Sequence, residues 1–277
     1  MDNREYMYED SPSQRTRGFG ALEYIIAINV AVSLFWNLFI DGGPSEGLAR
    51  DNLFFSNEAL RVGKIWTLLT YAFCHADPFH LLLNMIVLFL FVRSLADEWG
   101  GRRFTLFYCA CAIAGALFSA VLTALGLVTS EKVLGASGAV CGAATAVCML
   151  RPRQTVLLFF AVPVPALVIP ILFVATDVLG VVREIAGFPP VPGPRVAHGA
   201  HLGGALCGAL YTMYVLGHIR LPGLRRPRRR RETVARREVR SMSQREFGRS
   251  EPGEDSINDR DEKRMDFLLQ KVSSGGL

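Results

Sequence analysis

Ser137 stands between two glycines in the run Gly135-Ala136-Ser137-Gly138, at the start of an apolar stretch that ends at Leu150 and is closed by Arg151, Pro152 and Arg153. As a helix this stretch spans about 22 Å, less than the roughly 30 Å of bilayer hydrocarbon. With Arg151 at one membrane face, the hydroxyl lies about 8 Å below the other. Alone, such a segment reads as a small-residue helix contact as readily as a nucleophile. His80, Asn84 and His201 change that balance. Polar and ionisable groups inside spans are costly, so each needs a reason. His80 lies about 20 Å of helix above Arg93, Ser137 about 21 Å above Arg151, and His201 about 28 Å above Arg220, less with tilt. A serine, two histidines and an asparagine then share one layer. His80 and Asn84 are four apart and fall on one helix face.

These residue types define a chemistry. Serine is a poor nucleophile until a base takes its proton, and His201 can be that base and later the acid for the leaving amine. A tetrahedral intermediate needs donors for its oxyanion, which the Ser137 backbone N–H, His80 and the Asn84 amide can supply. Water is the second substrate, so the recess opens outward. No carboxylate is clearly spaced to orient His201. Asp177 is a candidate whose alternative is an interfacial or helix-packing role, and a Ser–His dyad is the simpler reading.

The elements that must position these groups are membrane helices. The chain has 277 residues, 51% of them hydrophobic, with charge concentrated at the two ends, which excludes an ordinary soluble domain. The hydropathy predicts six spans, at about 19–40, 78–95, 104–127, 137–150, 155–182 and 197–216. The first has no compact basic leader or clear cleavage site and reads as retained. Pro163, Pro165 and Pro170 are expected to bend the fifth. Residues 41–75 form a long first loop that lies in the interface, with Trp66 and Tyr71 as interfacial rings. Gly138-x-x-x-Gly142 and Gly204-x-x-x-Gly208, with Gly203, predict close approach of spans 4 and 6. Residues 1–18 read as an N-terminal arm, 19–217 as the membrane domain, and 218–277 as a basic tail with a short amphipathic helix over 261–273. The arginines crowd the side that holds both termini, which the positive-inside rule places in the cytoplasm. The basic tail suits an anionic leaflet rather than nucleic acid. Cys74, Cys109, Cys111, Cys141, Cys148 and Cys207 lie in or beside apolar runs without a CxxC pair and read as small hydrophobes.

Taken together, His80-Leu-Leu-Leu-Asn84, Gly135-Ala136-Ser137-Gly138 and Ala200-His201-Leu202-Gly203-Gly204, in that order on spans 2, 4 and 6, resemble the HxxxN, GxSG and histidine motifs of the rhomboid family of intramembrane serine proteases. His75, five residues before His80, and Trp66 in the first loop also fit. The resemblance implies an all-α, six-transmembrane-helix bundle of bacterial type in the inner (plasma) membrane, with a long first extracytoplasmic loop. It implies cleavage within or beside transmembrane helices of other proteins, by Ser137 and His201, without metal or cofactor. Membrane-helix substrates and lipids are the implied partners. His80, Asn84 and Ser137 would bind the oxyanion, with Gly135, Gly138, His75, His198 and Gly204 in support. Two positions depart from the pattern: Thr67 follows Trp66 where many members have Arg, and Cys141 stands where an aromatic ring often faces the catalytic histidine.

Two rivals come from other classes. One is a non-catalytic binder of membrane helices on the same fold, which would normally have lost the serine or histidine. The other is a metal site built on His198 and His201. Against it, the chain has no HExxH and no carboxylate among its clustered histidines. His198 itself reads as a polar lining residue.

Overall fold

A computed structural model of the chain describes residues 20–129, 132–158, 161–189 and 196–218. The expected N-terminal arm, the basic tail beyond 218 and its amphipathic helix lie outside the described residues. The fold is mostly helical. Helix α1 (Ala21–Phe35) runs on through a π-helical turn to Ile40. Three short helices follow, α2 (Glu46–Leu53), α3 (Asn57–Arg61) and α4 (Thr67–Thr70). Helix α5 (Pro78–Ile86) continues through a π-helical stretch, Val87–Val92, into α6 (Arg93–Trp99). Then come α7 (Gly101–Ala124) and α8 (Ser137–Leu150). A hairpin of β1 (Thr155–Leu158) and β2 (Val162–Pro165) precedes α9 (Val168–Ile185) and α10 (His198–Leu216).

Three of these units, Ala21–Ile40, Pro78–Trp99 and Gly101–Ala124, are long and apolar enough to cross a membrane, and α8 is a shorter apolar helix. Large apolar side chains such as Leu38, Leu90, Leu106 and Leu125 stay exposed on the outside of the bundle. Lipid, not water, is the solvent that suits such a surface.

Two expectations are corrected. Residues 155–165 do not open the fifth span. Instead β1 and β2 pair antiparallel, with Thr155 opposite Pro165 and Leu158 opposite Val162. Pro163 and Pro165 lack the N–H that a helix interior needs but sit without penalty in a two-stranded edge. Tyr71 is not an interfacial ring either. It is 1% exposed, and its hydroxyl donates to the Ala112 carbonyl at 2.7 Å, so the first loop is pinned to α7. Trp66 is half exposed, its indole N–H on the Asn52 carbonyl. Thr67 is fully buried with its hydroxyl on the Lys64 carbonyl, which gives that turn a closure without arginine.

The centre is α10 packed between α7 and α8. Close packing replaces the hydrophobic effect as the force between helices in lipid, and glycines allow it. A Cβ on Gly203 would lie 2.6 Å from the Ala114 carbonyl, and one on Gly142 would lie 2.6 Å from the Gly204 carbonyl. At the far end the helices are registered by charge. Arg151 pairs with Glu98 at 3.0 Å and Arg93 with Glu23 at 3.2 Å. Arg103 stacks 4.2 Å from the Trp99 centroid and donates to the Tyr211 hydroxyl. All six cysteines are free, and Cys74, Cys111 and Cys148 are buried.

Candidate functional site

The serine is aimed by the chain before it. Phe55 and Val133 exchange both backbone hydrogen bonds, at 3.0 and 2.8 Å, and the Gly135 N–H donates to the Tyr71 carbonyl at 2.9 Å. Gly135 has φ of 111°, which only glycine adopts readily. Its bare Cα also leaves room for His80, since a Cβ there would fall 2.6 Å from the ring's Cε1. The backbone then turns into α8 with Ser137 as its first residue. The first helical bond runs from the Val140 N–H to the Ala136 carbonyl. The N–H groups of Ser137, Gly138 and Ala139 therefore have no acceptor inside the helix, and they mark its positive end.

Ser137 and His201 meet. The hydroxyl oxygen lies 2.7 Å from His201 Nε2. On the other edge of that ring, Nδ1 lies 3.1 Å from Asp177 Oδ1. Asp177, on α9, is buried, 5% exposed. This corrects the expectation that no carboxylate is placed to orient His201. It also corrects the expectation that none stands among the clustered histidines, because His198 Nδ1 lies 2.7 Å from the same oxygen. Only N–H donors make sense at a carboxylate, so both rings carry their proton on Nδ1. His201 Nε2 is then left as an acceptor for the Ser137 O–H. Among the described residues no three His, Cys, Asp or Glu side chains are gathered as a metal-holding set.

The remaining predicted residues divide. His80 stands against Gly135, one residue from the Ala136–Ser137 peptide. The start of its helix is held by Asp77, whose carboxylate accepts the His80 backbone N–H at 2.8 Å, with Pro78 at the first helical position. Asn84 is buried, but its amide donates to the His80 carbonyl at 2.9 Å, within its own helix rather than toward the serine. Gly138 and Gly204 lie in the contact between α8 and α10. Cys141 is half buried on α8 with no aromatic ring in its place.

His75 turns out to be structural to the site. It is 1% exposed, accepts the Ala136 N–H on Nε2 at 3.4 Å, and faces Ser33 of α1 through Nδ1 at 3.2 Å. Ser33 escaped sequence reasoning, although a buried serine in an apolar span is the kind of signal that asks for a partner. Burial, with His80 alongside, pushes the His75 imidazole down from 6.5 to about 4. The unfolded chain thus binds the extra proton between those values, so the stabilisation is complete above about 6.5 and is lost as pH falls toward 4. The full effect is on the order of 3 kcal/mol. Lowering the pH from 7 to 4 is expected to depress the thermal unfolding midpoint more for the native chain than for His75→Gln, whose carbonyl keeps an acceptor for Ala136. Parallel pH curves for the two proteins would refute this role.

The model of the rhomboid domain matches residues 62–218. RHOMBOID-like protein 12, mitochondrial, of Arabidopsis thaliana is 30% identical over 199 residues, covering 67% of this chain and 55% of that protein. Rhomboid protein 1, mitochondrial, of Saccharomyces cerevisiae is 32% identical over 215 residues, covering 76% and 58%. Presenilin-associated rhomboid-like protein, mitochondrial, of Homo sapiens is 30% identical over 198 residues, covering 70% and 47%. The chain spans about half the length of the curated relatives it matches. Their mitochondrial names overturn the placement in a bacterial inner membrane, and with it the assignment of the arginine-bearing face to a cytoplasm. The integral-membrane character stands.

Proposed function

The chain belongs to the rhomboid family, and from that premise we propose that it is an intramembrane serine endopeptidase cutting within or beside transmembrane helices of other membrane proteins. The observation that carries this reading is the 2.7 Å approach of Ser137 Oγ to His201 Nε2. His201 takes the serine proton as Oγ attacks the scissile carbonyl, and returns it to the leaving amine. Water, deprotonated by the same ring, then releases the acyl group and restores the serine. Asp177 holds the tautomer that leaves Nε2 basic and steadies the imidazolium as it forms, which extends the dyad by one residue. The N–H groups at the start of α8 and the His80 ring are the oxyanion donors we assign, with Asn84 acting on His80 through its backbone.

The same reading supplies the architecture. Six spans, α1 with its π-turn, α5–α6, α7, α8, α9 and α10, form a membrane domain over 19–217 flanked by an arm at 1–18 and a tail from 218. Ser137 then lies below the face opposite the arginines, in a recess that suits a helix able to unwind, with a small residue at the cut.

The test is cleavage of a fluorescently labelled single-span protein by the full chain in liposomes. Cleavage is expected to persist in excess EDTA and to stop with a serine-directed isocoumarin that leaves one covalent adduct on Ser137. Cleavage that EDTA abolishes, or an adduct on another residue, would overturn the assignment. Retained binding of the labelled helix with no cleavage would favour the non-catalytic binder.

A further inference from the structure

His198 lies one turn before His201 on α10, and of the two bonds to Asp177 Oδ1 its own is the shorter, 2.7 Å against 3.1 Å. The residue that does not reach the serine therefore grips the carboxylate more closely than the one that does. Rotation about the last torsion of an aspartate is soft. One bond to His201 leaves the carboxylate free to swing. A second donor from the same helix, three residues away, removes that freedom. The other edge of the His198 ring rests on Gly180 of α9, one turn beyond Asp177. A Cβ at Gly180 would overlap the ring at Nε2. The ring is thus seated between two points of α9 while rooted in α10.

We infer that His198 is a positioning residue, whose Nδ1–H fixes Asp177 so that the carboxylate holds His201 with Nε2 on the Ser137 hydroxyl. The inference rests on the Ser–His reading of the site. It assigns His198 a role beyond lining a cavity, and it gives the absence of a side chain at position 180 a purpose.

The test is a series in the full chain. An asparagine amide nitrogen falls near the place of Nδ1, whereas a glutamine amide falls near Nε2. His198→Asn is therefore expected to keep kcat within about threefold, while His198→Ala and His198→Gln lose about tenfold with KM little changed. In an Asp177→Asn background, His198→Ala should cost nothing further, because the two act on His201 as one unit. Gly180→Ala places a Cβ against the His198 ring and is expected to match His198→Ala in kcat, with its unfolding midpoint followed to separate displacement of the ring from a loss of fold. The second readout needs no cleavage. In protein labelled with 15N-histidine, the His201 Nδ1–H proton should be visible in the native chain and in His198→Asn, and lost to exchange with water in His198→Ala and His198→Gln. A chain that cleaves nothing but shows this pattern would lose the protease assignment and keep the positioning role. An unchanged His201 Nδ1–H signal in His198→Ala, or equal kcat in all three variants, would overturn the inference.

Discussion

Ser137→Ala and His201→Ala are each expected to lower cleavage by at least about 10⁴-fold, and the double variant to be no worse than either alone. The two atoms they remove are the two ends of one 2.7 Å bond. Without the hydroxyl there is nothing to form the acyl intermediate. Without the ring the hydroxyl keeps its proton and is no better than water. Groups that act as a unit show this non-additivity, and the residue of rate left behind comes from binding and from the donors at the start of α8. The loss should fall on kcat, because neither group is needed to hold the substrate helix. It should also be chemical and not structural. Ser137 is half buried, and removing its oxygen leaves no cavity, so the unfolding midpoint of Ser137→Ala should lie within a degree or two of the native value. Purified Ser137→Ala that retains a hundredth of native cleavage would sink the assignment.

That Ser137 and His201 were legible at all follows from where they stand. In a soluble enzyme a lone serine and histidine vanish among other polar residues. In an apolar span each polar group is an expense, so four of them at one depth is a pattern that hydropathy does not produce by itself. Depth was readable because helical rise and flanking arginines provide a ruler; rotation about each helix axis was not. Asp177 lay at a plausible depth, but nothing in the order of residues says which face of α9 meets α10. The beginning of α9 was misread for a related reason. Residues 155–170 are apolar almost without interruption, and such a run fits a buried helix or a short strand pair alike. The two prolines were the signal for a break, and they mark the strand rather than a bend in a helix. Tyr71 and His75 were harder still. Their partners Ala112, Ala136 and Ser33 lie 41, 61 and 42 residues away, and the bonds to the Ala112 and Ala136 backbone leave no trace in residue type.

Gly204→Val is expected to disable the protein by a different route, through the seam that carries both Ser137 and His201. A Cβ at Gly204 would overlap the carbonyl oxygen of Gly138 and come 3.2 Å from its Cα, and a Cβ at Gly208 would overlap the carbonyl of Gly142. The obstacles are backbone atoms, so no change of rotamer relieves them and α10 must move away from α8. Ser137 immediately precedes Gly138, and His201 lies one turn before Gly204, so that movement stretches the bond between them. A displacement near 1 Å costs on the order of 10²-fold in a positioned reaction, and forced overpacking of this kind costs about 3 kcal/mol or more in stability. The expected result is a kcat lower by at least about 100-fold together with a clear fall in the unfolding midpoint. Gly47→Val is the matched control. Gly47 has no neighbour within 4 Å of its would-be Cβ, and its substitution should alter neither quantity. Gly208→Val separates the two effects, because it wedges the same seam one turn farther from the site. It should fall in stability about as far as Gly204→Val while losing less kcat. If Gly204→Val keeps native stability and rate, the backbone contact between α8 and α10 is not what brings the serine to the histidine.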